Sequence, residues 1–378
     1  MRMLLIADLH IGSIKDTSYV YKVTTDIIEK EVIFKHTDVV VFLGDYFDKL
    51  FKVNDEYVSL AINIMSYLVR ACKRSNTKIR MIYGTESHEM NQYKLFNYHM
   101  TSSSIDIRVI DTVTEETIGD KKILYLPEEY IDNKAKYYND YLYSDKHYNY
   151  IFGHGIIEDG MPSIISYSAN KSDEKQVPRF KSGELSNVAN ITVFGHYHTH
   201  VDMHNNVYYL GSLFRDSFGE EEPKLYGIIE DDKIEFIENK EAYIYKTYEF
   251  APNSDIYNGS DNIMNTIKEI KKENKEIFTG EKQGRIRLVF RTPESIDPTF
   301  RENLKTLLFN DKYISPLIKE QTATELNTEV EEEDTDEYDF ILDNSLPIID
   351  KIHQYIVKEF DDPMSIETLE KYLRKSLK

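Results

Sequence analysis

The chain has 378 residues, 41% of them hydrophobic and 30% charged, with a formal net charge of −20. That length supports a large core or two units, and no apolar run approaches the roughly 20 residues that span a bilayer. The acidic balance argues against indiscriminate binding to phosphate backbones, and the single cysteine, Cys72, excludes an internal disulfide and fits a reducing, cytoplasmic compartment.

Met1-Arg-Met-Leu-Leu-Ile-Ala-Asp8 meets an acid too soon for a signal peptide and reads as a first buried strand. Further buried strands are expected at Val39–Leu43, Ile79–Tyr83, Ile123–Leu126, Tyr148–Phe152 and Ile191–Phe194. Tyr19 to Phe34 and Glu56 to Arg74 carry apolar residues three and four apart and are expected as covering helices. Shorter strands are expected at 206–210, 225–229 and 234–237. The result is an α/β layered domain whose second half is richer in strand.

Beyond it, Asp261–Lys272 and Pro298–Phe309 read as helices and Arg285-Ile-Arg-Leu-Val-Phe-Arg291 as a half-buried strand, a small α+β module. Residues 329–339 hold eight acids and no base, an acidic linker. Leu346, Ile349, Ile352, Ile356 and Phe360 share one helical face, and Asp362-Pro363 begins a second helix with Ile366, Leu369, Leu373 and Leu377. This helix pair reads as a docking element for a partner or as terminal packing onto the chain's own body.

Metal-capable groups recur at the strand ends: Asp8-Leu-His10, Gly44-Asp45, His88, Gly153-His154 and Gly195-His196-Tyr-His198. Singly each is weak, but five in order is a costly pattern to keep for packing alone. Residues two apart in extended chain point the same way, so Asp8 with His10, and His196 with His198, can each supply two donors to one site. Imidazoles with carboxylates suit Mn²⁺, Fe²⁺ or Zn²⁺, and two such ions form a clamp for in-line displacement at phosphorus. Phosphoester hydrolysis is the natural reaction.

These motifs, D-x-H, G-D-x-x-D, G-(N)-H-(D/E), G-H-x and G-H-x-H, resemble those of the calcineurin-like metallophosphoesterases. Tyr209-Leu-Gly-Ser-Leu-Phe-Arg-Asp-Ser-Phe-Gly-Glu220 resembles the corresponding stretch of SbcD nucleases, the prokaryotic Mre-type repair enzymes. The resemblance implies a two-sheet metallophosphoesterase sandwich flanked by helices over 1–245, a DNA-facing capping domain over 246–318, the acidic linker over 319–343, and helices over 344–378 that grip an SbcC-type coiled-coil ATPase. It implies two Mn²⁺ ions, with Asp8, His10, Asp45 and His198 on one, Asp45, His154 and His196 on the other, and His88 as general acid. DNA ends are the implied substrate, with exonuclease and endonuclease activity, and a homodimer is expected; a bacteriophage recombination subunit would suit the short chain.

The departure is Gly84-Thr-Glu-Ser-His88, where the family reads Gly-Asn-His-Asp and the Asn is a ligand to the second metal; Glu86 or Ser87 is the candidate replacement. A phosphodiesterase or phosphatase on small nucleotides or phosphoproteins is the alternative enzyme, and a regulatory subunit with impaired catalysis the alternative outside enzymes. Asp48 is either a substrate contact or a solvated acid. His200 and His204 either orient ligands or lie on the surface, and Arg215 either holds an acid or meets DNA. The tyrosines around Tyr137-Tyr138 either stack on bases or pack a helix.

Overall fold

The computed structural model describes residues 1–160, 179–292, 298–308 and 311–320, and Met1–Glu320 forms one compact unit. The fold is mixed α/β. Four parallel strands, β1 (Arg2–Ile6), β2 (Val39–Phe42), β3 (Lys78–Ile82) and β4 (Ile107–Ile110), form most of a first sheet. A second sheet is built on β5 (Thr114–Ile118), β6 (Lys121–Leu126), β7 (Tyr148–His154), β10 (Ala189–Gly195), β11 (Val201–Asp202) and β12 (Val207–Tyr209). Between β7 and β10 the short strands β8 (Ile156–Ile157) and β9 (Arg179–Phe180) pair with each other. The hairpin β13 (Leu225–Glu230) and β14 (Lys233–Glu238) returns to the first sheet, β13 antiparallel to β1, so the order there is β14-β13-β1-β2-β3-β4.

Strand alternation explains how the layers stack. Met3 and Leu5 of β1, Val39 and Val41 of β2, and Ile82 of β3 share one apolar cluster with Ile123 and Tyr125 of β6, Tyr150 and Phe152 of β7, and Ile191 and Val193 of β10. The two sheets therefore pack face to face. The intervening residues Leu4, Ile6, Val40 and Phe42 point the other way, against the helices Thr17–Ile28 and Glu56–Ser75. Asp16 caps the first of these helices by accepting from Tyr19 N–H at 3.0 Å. The outer face of the second sheet is covered by Tyr138, Leu142 and Leu185 from short helical segments. Cys72 is buried in the helix Glu56–Ser75, where burial pushes its thiol up to about 12, which leaves no reactive thiolate.

Beyond Ala242, β15 (Ile244–Phe250), β16 (Gly284–Thr292) and β17 (Ile314–Glu320) form a third sheet in sequence order. All its pairings are parallel, with the helices Ser260–Glu273, Lys275–Thr279 and Pro298–Leu308 lying between the strands in sequence. A small α+β module was expected, yet parallel neighbours require crossover connections, so the unit is of β-α-β type. Its first strand starts at Ile244, ahead of the expected start at 246. Ile263, Ile267, Ile270, Leu288, Phe290, Phe300 and Leu304 give it a core of its own. Apart from residues 319 and 320 at the end of β17, the expected linker and C-terminal helix pair lie outside the described residues. Among the described residues no helix is long and apolar enough to cross a membrane.

Candidate metal centre

Because β1, β2 and β3 run parallel, as do β7 and β10, their C-terminal ends deliver loops to one edge of the paired sheets. Asp8 and His10 follow β1, Asp45 follows β2, His88 sits in the helical turn Glu86–Glu89 after β3, His154 ends β7, and His196 and His198 follow β10. Asp8, His10, Asp45 and His196 adopt left-handed backbone, with φ of 47°, 42°, 46° and 93°. Non-glycine residues rarely adopt it, and their clustering here marks a site where the surrounding structure holds the chain in place. Asp8 and His10 donate backbone N–H to Gly44 O and Asp45 O at 3.3 and 3.0 Å, and His196 N–H donates to Asp8 Oδ1 at 2.8 Å. Two glycines permit the close approach. A β-carbon on Gly44 would lie 2.2 Å from His154 Nδ1, and one on Gly84 would lie 2.4 Å from Asp45 Oδ1.

The donor atoms converge in overlapping groups. Asp8, His10 and His198 offer ligand atoms within 4.8 Å of one another, as do Asp45, His154 and His196, and also His10, Asp45 and His88. Each group could hold a metal ion. Asp45 Oδ2 is common ground, 3.2 Å from His88 Nδ1, 3.4 Å from His154 Nε2 and 3.7 Å from His10 Nε2. The far nitrogens are tied down in the manner that orients metal-binding imidazoles. His154 Nδ1 bonds Leu43 O at 2.7 Å, which turns Nε2 inward, and His198 Nδ1 bonds Glu220 Oε1 at 2.9 Å, which turns its Nε2 to within 3.0 Å of His10 Nε2. Two imidazole nitrogens on one octahedral cation with bonds of about 2.1 Å would be separated by about 3 Å.

The fit to a cation rests on what these atoms lack. Asp8 Oδ2, His154 Nε2 and His196 Nδ1 are buried without a hydrogen-bond partner among the described residues. Buried polar atoms are nearly always satisfied, so orphans within these ligand groups leave room for a partner that a cation could supply. The electrostatics agree. Burial raises the Asp8 carboxyl against the pull of His154 and His198, whereas Asp45, also buried, is held well below the usual carboxylate range by His154, His88 and His10. Burial and the neighbouring His198 lower His10 to about 3, which keeps it a neutral donor. Despite burial, Asp45 and Asp8 raise His154 to about 10, and Glu220 and Asp8 raise His198 to about 9, so the carboxylates draw positive charge into the centre.

All seven residues expected in the site are brought together. Asp8, His10, Asp45 and His154 form its buried floor, and His88, His196 and His198 are half-exposed at its mouth. Glu86 and Ser87 are both exposed on the helical turn, and it is Thr85 that meets Asp45, donating N–H to Oδ1 at 2.7 Å and its hydroxyl to Oδ2 at 3.2 Å. Glu89 is buried and accepts from Tyr46 N–H at 2.6 Å and Gly84 N–H at 3.3 Å, which splices this loop to the one after β2.

Asp48 lies 3.9 Å from His10 Nδ1 at the edge of the centre. His200 packs on Phe236 and bonds Tyr209 O at 2.7 Å, and Arg215 donates to the carbonyls of Tyr243, Glu221 and Glu222, so both serve packing. Tyr138 is a core residue, while the exposed Tyr143 bonds Glu184. One residue escaped the sequence reading. Glu128, after β6, places Oε2 3.4 Å from His196 Nδ1 and 3.9 Å from His154 Nε2. Its Leu126-Pro-Glu-Glu129 context has no Gly or His, but it is a further strand end bearing an acid, and that weaker signal would have found it.

No family model matches the sequence. No curated protein matches it either. Among solved structures, one crystal structure aligns over 63% of this chain and 99% of its own at 12% identity, with a TM-score of 0.38. A likeness that distant carries no argument about activity.

Proposed function

We propose that the chain is a metal-dependent phosphodiester hydrolase that cuts DNA. In this reading it is the nuclease subunit of an SbcC–SbcD-type end-processing complex, of the calcineurin-like metallophosphoesterase kind, and uses two Mn²⁺ ions. One observation carries the proposal: six ligand-type residues from four strand ends, Asp8, His10, Asp45, His154, His196 and His198, meet at one sheet edge with donor atoms turned inward. Two divalent cations bound there would activate water and neutralise the charge that develops at phosphorus. Asp45 bridges the two ligand groups, and Leu43 O and Glu220 orient His154 and His198. Half-exposed His88 faces the mouth from beside Asp45. Its hydrogen bond to Asp45 raises its pKa, so it holds a proton for a leaving oxygen.

The test is cleavage of linear duplex and hairpin DNA by the purified chain with Mn²⁺, alone and with a coiled-coil ATPase. His88→Ala is expected to lower cleavage by about a hundredfold or more while bound metal is unchanged. Full cleavage by that variant would remove His88 from the chemistry, and turnover of an aryl phosphodiester with no DNA cut would favour a small-molecule phosphodiesterase.

A further inference from the structure

Glu128 is a buried carboxylate that no Lys or Arg pairs with among the described residues. Its side chain is 1% exposed, and its Oε2 has no hydrogen-bond partner among the described residues. Its Oε1 receives only a long contact from the Tyr130 hydroxyl, at 3.5 Å. Removing an ionised carboxylate from water is costly unless something compensates for it. The groups it faces are His196 Nδ1 and His154 Nε2, which are equally without partners. The backbone fixes this placement, because Glu128 N–H donates to Tyr83 O at 3.0 Å and so docks the end of β6 beside the end of β3.

Three donors of the second ligand group are therefore joined by a fourth. Asp45, His154 and His196 offer ligand atoms within 4.8 Å of one another, and Glu128 Oε2 approaches this group from a fourth strand end, 3.4 Å from His196 Nδ1 and 3.9 Å from His154 Nε2. Of the stretch after Gly84, neither candidate replacement joins this group. Glu86 and Ser87 are exposed, and the N–H and hydroxyl of Thr85 are both spent on Asp45. We infer that Glu128 is a ligand of the second divalent cation and fills the coordination position that the Gly84–His88 loop leaves open. A carboxylate there adds a full negative charge where a neutral donor would add none, and it suits a hard cation such as Mn²⁺.

The inference rests on the two-cation reading of the centre, and metal binding tests the two separately. Mn²⁺ is titrated into the full chain, with bound metal counted by equilibrium dialysis and the pair detected by its spin-coupled electron paramagnetic resonance signal. The wild-type chain is expected to bind two ions and show the coupled signal. Glu128→Ala is expected to keep one tight ion, weaken the second by more than about tenfold and lose the coupled signal. Glu128→Gln, which retains a carbonyl oxygen, is expected to fall between them. The metal-free Glu128→Ala chain should melt no lower than wild type, because a buried carboxylate oxygen without a hydrogen bond has been removed, while its rise in Tm on adding Mn²⁺ should shrink. An unchanged coupled pair in Glu128→Ala would overturn the assignment of Glu128 alone. A wild-type chain that never binds a second ion would overturn the two-cation reading and this inference with it.

Discussion

At Gly44 the φ is 86°, and any β-carbon would press on the imidazole of fully buried His154. Gly44→Ala therefore combines left-handed backbone strain of about 1–2 kcal/mol with a clash that the packed floor cannot relieve. The variant is expected to lose at least about 2 kcal/mol in denaturant unfolding and to bind less Mn²⁺, since His154 must move. Equal stability and metal content would show that the Gly44 turn can shift without disturbing the centre. The seven expected site residues were legible because their strands end in Asp or His, mostly beside a Gly, a pattern that survives without knowledge of the fold. Glu128 and Thr85 were not, because a Pro-Glu pair and a lone threonine acquire meaning only when β6 and β3 deliver them beside Asp45. Glu86 and Ser87 are both exposed on the helical turn Glu86–Glu89, a placement that order along the chain does not give.

Among the elements, the buried strands were legible because Val, Ile and Leu run unbroken through them, and the covering helices because their apolar residues recur three and four apart. Strands β4, β5 and β15 were not, since Ile107-Arg-Val-Ile110, Thr114-Glu-Glu-Thr-Ile118 and Ile244-Tyr-Lys-Thr-Tyr-Glu-Phe250 mix charged or polar residues into edge positions, where one side of the ladder is free. Arg80 of β3 explains part of this. Its side chain is fully buried and reaches from the first sheet to the second, bonding Glu116 of β5 with Nε at 2.7 Å and Asp106 with Nη2 at 2.7 Å. Tyr125 of β6 also bonds Glu116, at 3.1 Å. Arg80→Met would remove the buried partner and leave Asp106 to Lys78 and Arg108 and Glu116 to Arg108, and it is expected to cost about 1–3 kcal/mol at neutral pH. The pH dependence has a defined sign. Although burial opposes ionisation, Arg80 and Lys78 lower Asp106 to about 2, and Arg80 lowers Glu116. A depressed carboxyl stabilises the fold above its unfolded pKa of about 4, and that contribution is lost as pH falls through the folded value. The gap between wild type and Arg80→Met, measured by urea unfolding, should therefore narrow from pH 4 down to pH 2. A gap constant with pH would show that Arg80 acts by packing and not by charge.

Across the molecule, residues 215–222 connect the candidate metal centre to the third sheet. At one end Glu220 bonds His198, and Lys224, itself buried, holds Glu220 Oε2 at 2.5 Å and Ser212 Oγ at 2.8 Å. At the other, the Phe218 ring lies 4.9 Å from that of Tyr245 in β15 and 4.8 Å from the Arg287 guanidinium in β16, while Glu221 accepts from Thr247 N–H at 3.1 Å. The resemblance of this stretch to a nuclease motif thus falls on a structural joint, with Arg215 fastening it to the carbonyls of Tyr243, Glu221 and Glu222. Because Glu220 has its own anchor in Lys224, the two ends should respond differently when the joint is cut. Phe218→Ala removes a half-buried ring worth about 1–2 kcal/mol. It is expected to speed hydrogen exchange across Ile244–Phe250 and Gly284–Thr292 while bound Mn²⁺ stays at the wild-type level. Loss of metal together with faster exchange would mean that His198 depends on the third sheet for its orientation. Unchanged exchange would mean that the Arg215 and Glu221 contacts hold the joint without the ring.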